Sequence, residues 1–91
     1  MSNPKIADWA GKRVWLVGAS SGIGAALARE LAQRGARVAL SARNLEKLQA
    51  LGIEGALLLP CDATDTASLA STRASLLATW RGVDLVIYLA G

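Results

Sequence analysis

Histidine and phenylalanine are absent from the 91 residues, and cysteine occurs once. With no imidazole and only Cys61 as a thiolate, zinc or haem ligation is close to excluded. A lone cysteine allows no internal disulfide, so a reducing cytoplasm is the expected compartment. No apolar run approaches the ~18 residues that a membrane span needs. The opening stretch, MSNPKIADWAGKR, lacks an apolar core and does not read as a signal peptide. Basic residues never run beyond the pair Lys12-Arg13. The net charge of +3 therefore reads as an ordinary solvated surface, and a nucleic-acid stripe is not supported.

What is present is apolar bulk, 53% of residues, drawn mainly from Ala, Leu and Val. A chain this short makes one domain at most and buries about 60–65% of its unfolded surface, so its stability is modest. The composition suits strands buried on both faces with helices lying on them. Met1 to Gly11 is polar and irregular, an N-terminal extension in which Trp9 is expected to pack against the domain edge. Residues 12–91 read as the folded unit.

The chain is organised around Val14 to Gly35, VWLVGASSGIGAALARELAQRG. An apolar run, Val14 to Val17, leads into a glycine-spaced loop, Gly18 to Gly24. A helix over about Gly22 to Arg34 follows, with Ile23, Leu27 and Leu31 as its expected inner stripe beside Ala28 and Ala32. Gly35 is the expected left-handed cap. A second strand spans Arg37 to Ala42. Asn44 caps a short helix, Leu45 to Leu51, that ends at Gly52. Ala56 to Pro60 is a third strand. Asp65 or Thr66 caps a third helix reaching Trp80, with Leu69, Leu76, Leu77 and Trp80 inward and Arg73 outward. Arg81-Gly82 should close it as Arg34-Gly35 closes the first. Val83 to Leu89 is a fourth strand, in which Asp84 is structural and Tyr88 packs against a helix.

Alternating strands and helices with short connections build a right-handed βαβαβαβ unit. The expected fold is α/β, a Rossmann-type three-layer half. Its four-stranded parallel sheet has the order 3-2-1-4, with helices on both faces. A ligand belongs at the carboxyl ends of the strands, where the order reverses.

The glycine loop carries the chemistry. Gly18 allows a tight exit from the first strand. Gly22 lets backbone approach a pyrophosphate, and Gly24 lets the helix lie close. Amides of the first helical turn then point at an anion, and Ser20 and Ser21 add hydroxyls. A strand before the loop and a helix after it form the context that a dinucleotide site requires. A P-loop is set aside, because Ile23-Gly24-Ala25 supplies neither its lysine nor its hydroxyl. A methyltransferase site is disfavoured, because Ser41-Ala42-Arg43-Asn44 lacks a carboxylate for the ribose.

That missing carboxylate also bears on cofactor choice. An acidic residue after the second strand typically holds a free 2′-hydroxyl, whereas Arg suits a 2′-phosphate. Arg43 stands there, which favours NADP(H) over NAD(H); the alternative is a solvated arginine beside a helix start. Asp62 follows the third strand, where it either accepts from the adenine amine or serves only as a turn residue. Cys61 reads as a small buried apolar side chain.

Val17-Gly18-Ala19-Ser20-Ser21-Gly22-Ile23-Gly24, Arg43, Cys61-Asp62 and Leu89-Ala90-Gly91 together resemble the short-chain dehydrogenase/reductases. The resemblance runs from about Lys12 onward. It implies nicotinamide hydride transfer to or from a carbonyl or alcohol, commonly in homo-oligomers. Carried over, Gly18, Ser20, Ser21 and Ile23 line the phosphates and adenosine ribose. Arg43 and Asn44 meet the 2′-phosphate, Asp62 and Ala63 flank adenine, and Ala90 and Gly91 pass beneath the ribose. Val17 departs from the family's frequent threonine, and Tyr88-Leu89 from its usual Asn-Asn. The family's catalytic serine and Tyr-x-x-x-Lys pair do not occur within residues 1–91. The expectation is thus a cofactor-binding half with no catalytic residue of its own. The alternative is a non-catalytic dinucleotide-binding or sensor module. Neither reading involves nucleic acid, membrane or metal.

Overall fold

The computed structural model describes residues 8–19 and 22–89. Seven elements follow in order: β1 (Arg13–Val17), α1 (Gly22–Gln33), β2 (Arg37–Ser41), α2 (Leu45–Ala50), β3 (Leu57–Leu58), α3 (Thr66–Trp80) and β4 (Leu85–Tyr88). The four strands form one parallel sheet in the order β3-β2-β1-β4, as the sequence implies. Val14 registers with Val38 on one side and Leu85 on the other.

β1 is apolar without alternation because both of its faces are covered. Val14 and Leu16 enter a core with Ala28 and Leu31 of α1, Val38 and Leu40 of β2, and Leu48 of α2. Trp15 and Val17 point the other way, into a core with Ala39, Leu76 and Trp80. Helices therefore flank the sheet on both faces, with α1 and α2 on one and α3 on the other. Each fully buried large aliphatic side chain stabilises the fold by about 1.5–3 kcal/mol. Trp9 packs against the first core from outside, and the Gly11 amide donates to the Gly35 carbonyl at 3.0 Å.

The helix ends follow their sequence signals. Gly35 takes φ 89°. Its amide and that of Ala36 donate to Ala32 and Leu31, which satisfies two carbonyls left open at the end of α1. Asn44 Oδ1 accepts from the Lys47 amide, and Asp65 accepts from Ala67 and Ser68. α3 closes differently from α1. Arg81 itself is left-handed, φ 63°, one residue before Gly82. Gly82 follows beside the Arg13 guanidinium, whose Nη1 lies 2.8 Å from where a Cβ on Gly82 would stand.

Several side chains and boundaries differ from the sequence expectation. Ile23 is 80% exposed and does not belong to the inner stripe of α1. The buried line is Gly24, Ala25, Ala28 and Leu31; Ile23 lies about 100° round the helix from Gly24. β3 is regular only at Leu57–Leu58, at the sheet edge paired to β2 alone. Its ladder continues irregularly through Leu59 N to Leu40 O and Cys61 N to Ala42 O, and Pro60 falls between these two donors. Thr72 is buried on the inner face of α3, its hydroxyl donating to the Ser68 carbonyl at 2.8 Å. Tyr88 is 62% exposed, at the rim of a recess that Arg73, Leu76 and Leu77 of α3 also line. α3 lies over β1 and β2, which leaves a recess of about 240 Å³ between α3 and the β4 side.

Candidate dinucleotide-binding site

The glycine loop is fixed at its base by β2. The Gly18 amide donates to the Ser41 carbonyl at 2.7 Å, and the Ala19 amide shares that acceptor at 3.2 Å. Ser41 is itself anchored, because Trp15 Nε1 donates to its hydroxyl at 2.8 Å in the interior. Sequence reading missed this pair. The signal was present: a serine in an apolar strand, diagonally across from a tryptophan.

Gly18 takes φ 91°, and a Cβ there would lie 2.7 Å from the Leu89 carbonyl oxygen. The loop thus leaves β1 directly against the chain that leaves β4. At Gly24 a Cβ would come within 2.9 Å of Ala19 Cα and 3.1 Å of the Gly18 carbonyl, so α1 closes tightly on the loop. At Gly22 a Cβ would meet nothing within 4 Å. That surface faces outward beside the exposed Ile23. Ser20, Ser21, Ala90 and Gly91 lie outside the described residues.

A cleft of about 400 Å³ opens at the carboxyl ends of the strands. Five of the residues singled out from the sequence meet in it: Gly18 after β1, Arg43 and Asn44 after β2, and Asp62 and Ala63 after β3. Ala42, Cys61 and Leu89 supply apolar wall, and Lys47 and Thr64 add polar groups that the sequence reading did not single out. The local signal for Lys47 is its place four residues after Arg43, one helical turn on, at the start of α2. Gly22, Ile23 and Gly24 do not line this cleft; they lie at the start of α1.

Polar contacts organise the cleft. Thr64 donates to Asp62 Oδ1 through its amide at 3.0 Å and its hydroxyl at 2.6 Å. The Asp62 amide donates to Ser68 Oγ at 3.1 Å. Asp62 is therefore a turn aspartate in a fixed orientation. The Thr64 hydroxyl, then its amide, then the Arg43 charge hold the Asp62 carboxyl below the usual carboxylate range. Arg43 Nε stands 3.8 Å from Asp62 Oδ1, with the arginine side chain 75% exposed. Asn44 spends its carbonyl oxygen on the cap of α2, which leaves its amide group as the donor it can offer a ligand.

Among the described residues no cluster of three His, Cys, Asp or Glu side chains could hold a metal. No described helix is long and apolar enough to cross a membrane. Asp84 is structural, as expected. It pairs with Arg13 at the opposite end of the sheet, at 3.2 Å to Nε and 2.8 Å to the backbone amide. Arg37 stacks over Trp80 at that same end, 5.4 Å from the ring centre.

The comparisons with known proteins agree with this architecture. A family model described as short chain dehydrogenase matches residues 12–91. An uncharacterized oxidoreductase of Mycobacterium tuberculosis is 40% identical over 90 residues, covering 89% of this chain and 26% of that protein. Among solved structures, a metagenomic short-chain oxidoreductase in complex with NADP superposes with a TM-score of 0.81 at 38% identity. That match covers 90% of this chain and 40% of the other. A 3-ketoacyl-(acyl-carrier-protein) reductase from Brucella melitensis, complexed with NADH, gives a TM-score of 0.79 at 26% identity, covering 85% and 33%. The chain thus spans from about a quarter to two fifths of the length of these proteins. With the glycine loop, the strand order and the match over residues 12–91 in agreement, this chain belongs to the short-chain dehydrogenase family.

Proposed function

We propose that residues 12–91 form the dinucleotide-binding half of an oxidoreductase that uses NADP(H) in preference to NAD(H). The observation that carries the reading is Arg43 at the mouth of the cleft, beside Lys47, with no carboxylate in Ser41-Ala42-Arg43-Asn44. The donor set suits the adenosine end of the cofactor. Arg43, Lys47 and the Asn44 amide group meet a 2′-phosphate. Asp62 accepts from the adenine amine, Ala63 flanks the base, and Ala42, Cys61 and Leu89 give it an apolar wall. Gly18, Ser20, Ser21, Gly22, Ile23 and Gly24 hold the pyrophosphate and ribose, and Ala90 and Gly91 pass beneath the ribose.

The cofactor supplies hydride chemistry toward a carbonyl or alcohol; this chain's own residues bind and orient. Neighbours in complex with NADP and with NADH support a nicotinamide dinucleotide as the ligand class. The working form is a cytoplasmic homo-oligomer, a reading consistent with the half-buried edge strand β4.

A charge-assisted hydrogen bond is worth about 1.5–3 kcal/mol, or roughly 10- to 150-fold in affinity. Calorimetric titration of the full chain with NADP⁺ and NAD⁺ should show a preference of that order, lost in Arg43→Ala. Equal affinities in the unmutated chain would overturn the NADP(H) preference.

A further inference from the structure

We infer that cofactor choice is set by a balance of three side chains, Arg43 and Lys47 against Asp62, and not by Arg43 alone. This rests on the NADP(H) reading. All three residues line the one cleft. Lys47 lies one helical turn beyond Arg43, and the bond from its own amide to Asn44 Oδ1 fixes the start of α2 and hence its place. Asp62 Oδ1 stands 3.8 Å from Arg43 Nε and is held there by both Thr64 donors. It cannot swing away from an incoming anion without giving up those two hydrogen bonds.

The charges act on the two cofactors differently. A phosphate monoester brings about −1.5 to −2 near neutral pH, whereas a 2′-hydroxyl brings none. Arg43 and Lys47 attract the phosphate. The Asp62 carboxylate repels it and competes with it for Arg43. As an acceptor for the adenine amine, Asp62 serves both cofactors alike. It therefore tempers the phosphate preference, and Lys47 restores part of it. Arg43 is largely exposed, so these effects weaken as salt rises.

The test is the ratio of the dissociation constants of 5′-AMP and 2′,5′-ADP, two nucleotides that differ only by the 2′-phosphate. It is measured by calorimetry on the full chain at low ionic strength. Asp62→Asn keeps an oxygen for Thr64 and should raise the ratio about threefold or more, the scale of one exposed charge interaction. Lys47→Ala, at an exposed helical position, should lower the ratio by a similar factor. If Asp62→Asn fails to fold, Lys47→Ala alone decides. Ratios unmoved by either variant would overturn the inference while leaving the Arg43 reading intact. A ratio near one in the unmutated chain, or no binding of either nucleotide, would sink both.

Discussion

The carbonyl oxygen of Leu89 lies 2.7 Å from the point that a Cβ on Gly18 would occupy. The chain leaves β1 and β4 in near contact, and the side chain missing at Gly18 is what permits it. Gly18→Ala meets two penalties. A left-handed alanine costs about 1–2 kcal/mol, and the clash with backbone oxygen forces the two strand ends apart. Gly11 offers a control, with φ 75° and nothing within 4 Å of a Cβ. Urea denaturation should show Gly11→Ala losing about 1–2 kcal/mol for its conformation alone. Gly18→Ala should lose distinctly more. Equal losses would mean that the Leu89 contact is immaterial.

The Trp15–Ser41 hydrogen bond holds the residue whose carbonyl accepts both loop amides. Removing one partner leaves a buried polar group unsatisfied, at about 1–3 kcal/mol. Trp15→Phe and Ser41→Ala should each destabilise the chain. The double variant should lose less than the sum, because neither orphan then remains. Additive losses in a double-mutant cycle would show that the two groups do not interact.

Asp84 titrates far from the cleft and sets an acid limit on the fold. Hydrogen bonds from the Arg13 side chain and backbone, with the charges of Arg13 and Lys12, lower its carboxyl to about 2. An unfolded aspartate titrates near about 3.9. A carboxyl held lower in the folded state stabilises the fold fully above its unfolded value, and that stabilisation is lost as pH falls toward the folded value. The melting temperature of the unmutated chain should exceed that of Asp84→Asn at pH 7. The gap should close between about pH 4 and pH 2. A gap that persists at pH 2 would place the effect in packing instead.

The sheet order and the glycine loop were legible because both are written locally. Val14 to Val17 is apolar on both faces, short crossovers leave few topologies, and Gly35, Asn44 and Asp65 mark helix ends by their own chemistry. What escaped depended on neighbours distant in sequence. Ile23 fits a four-residue repeat with Leu27 and Leu31, yet only those two reach the core, and the buried line of α1 runs through Gly24, Ala25, Ala28 and Leu31. Lys47 shares the cleft with Asp62 only because β2 and β3 lie side by side. Arg81 takes the left-handed turn, φ 63°, one residue before the glycine that local preference favours for it.

Burial falls off sharply across the β1–β4 pair. Val14, Trp15 and Leu16 are at most 1% exposed, while their partners Leu85, Val86 and Ile87 are only half-buried and Tyr88 is exposed. Among the described residues β4 pairs with β1 alone, so its outer edge offers unpaired backbone flanked by apolar side chains. Such an edge templates pairing with another chain unless it is short, charged or covered. The 91-residue chain should therefore self-associate. Sedimentation velocity should show a mass that rises above the monomer with concentration. Tyr88→Lys puts a charge on that edge at an exposed position, so it should shift the equilibrium toward monomer with little change in melting temperature. A single monomeric boundary for the unmutated chain at every concentration would contradict this. Unchanged association in Tyr88→Lys would move the contact to another face, such as the exposed outer side of α3.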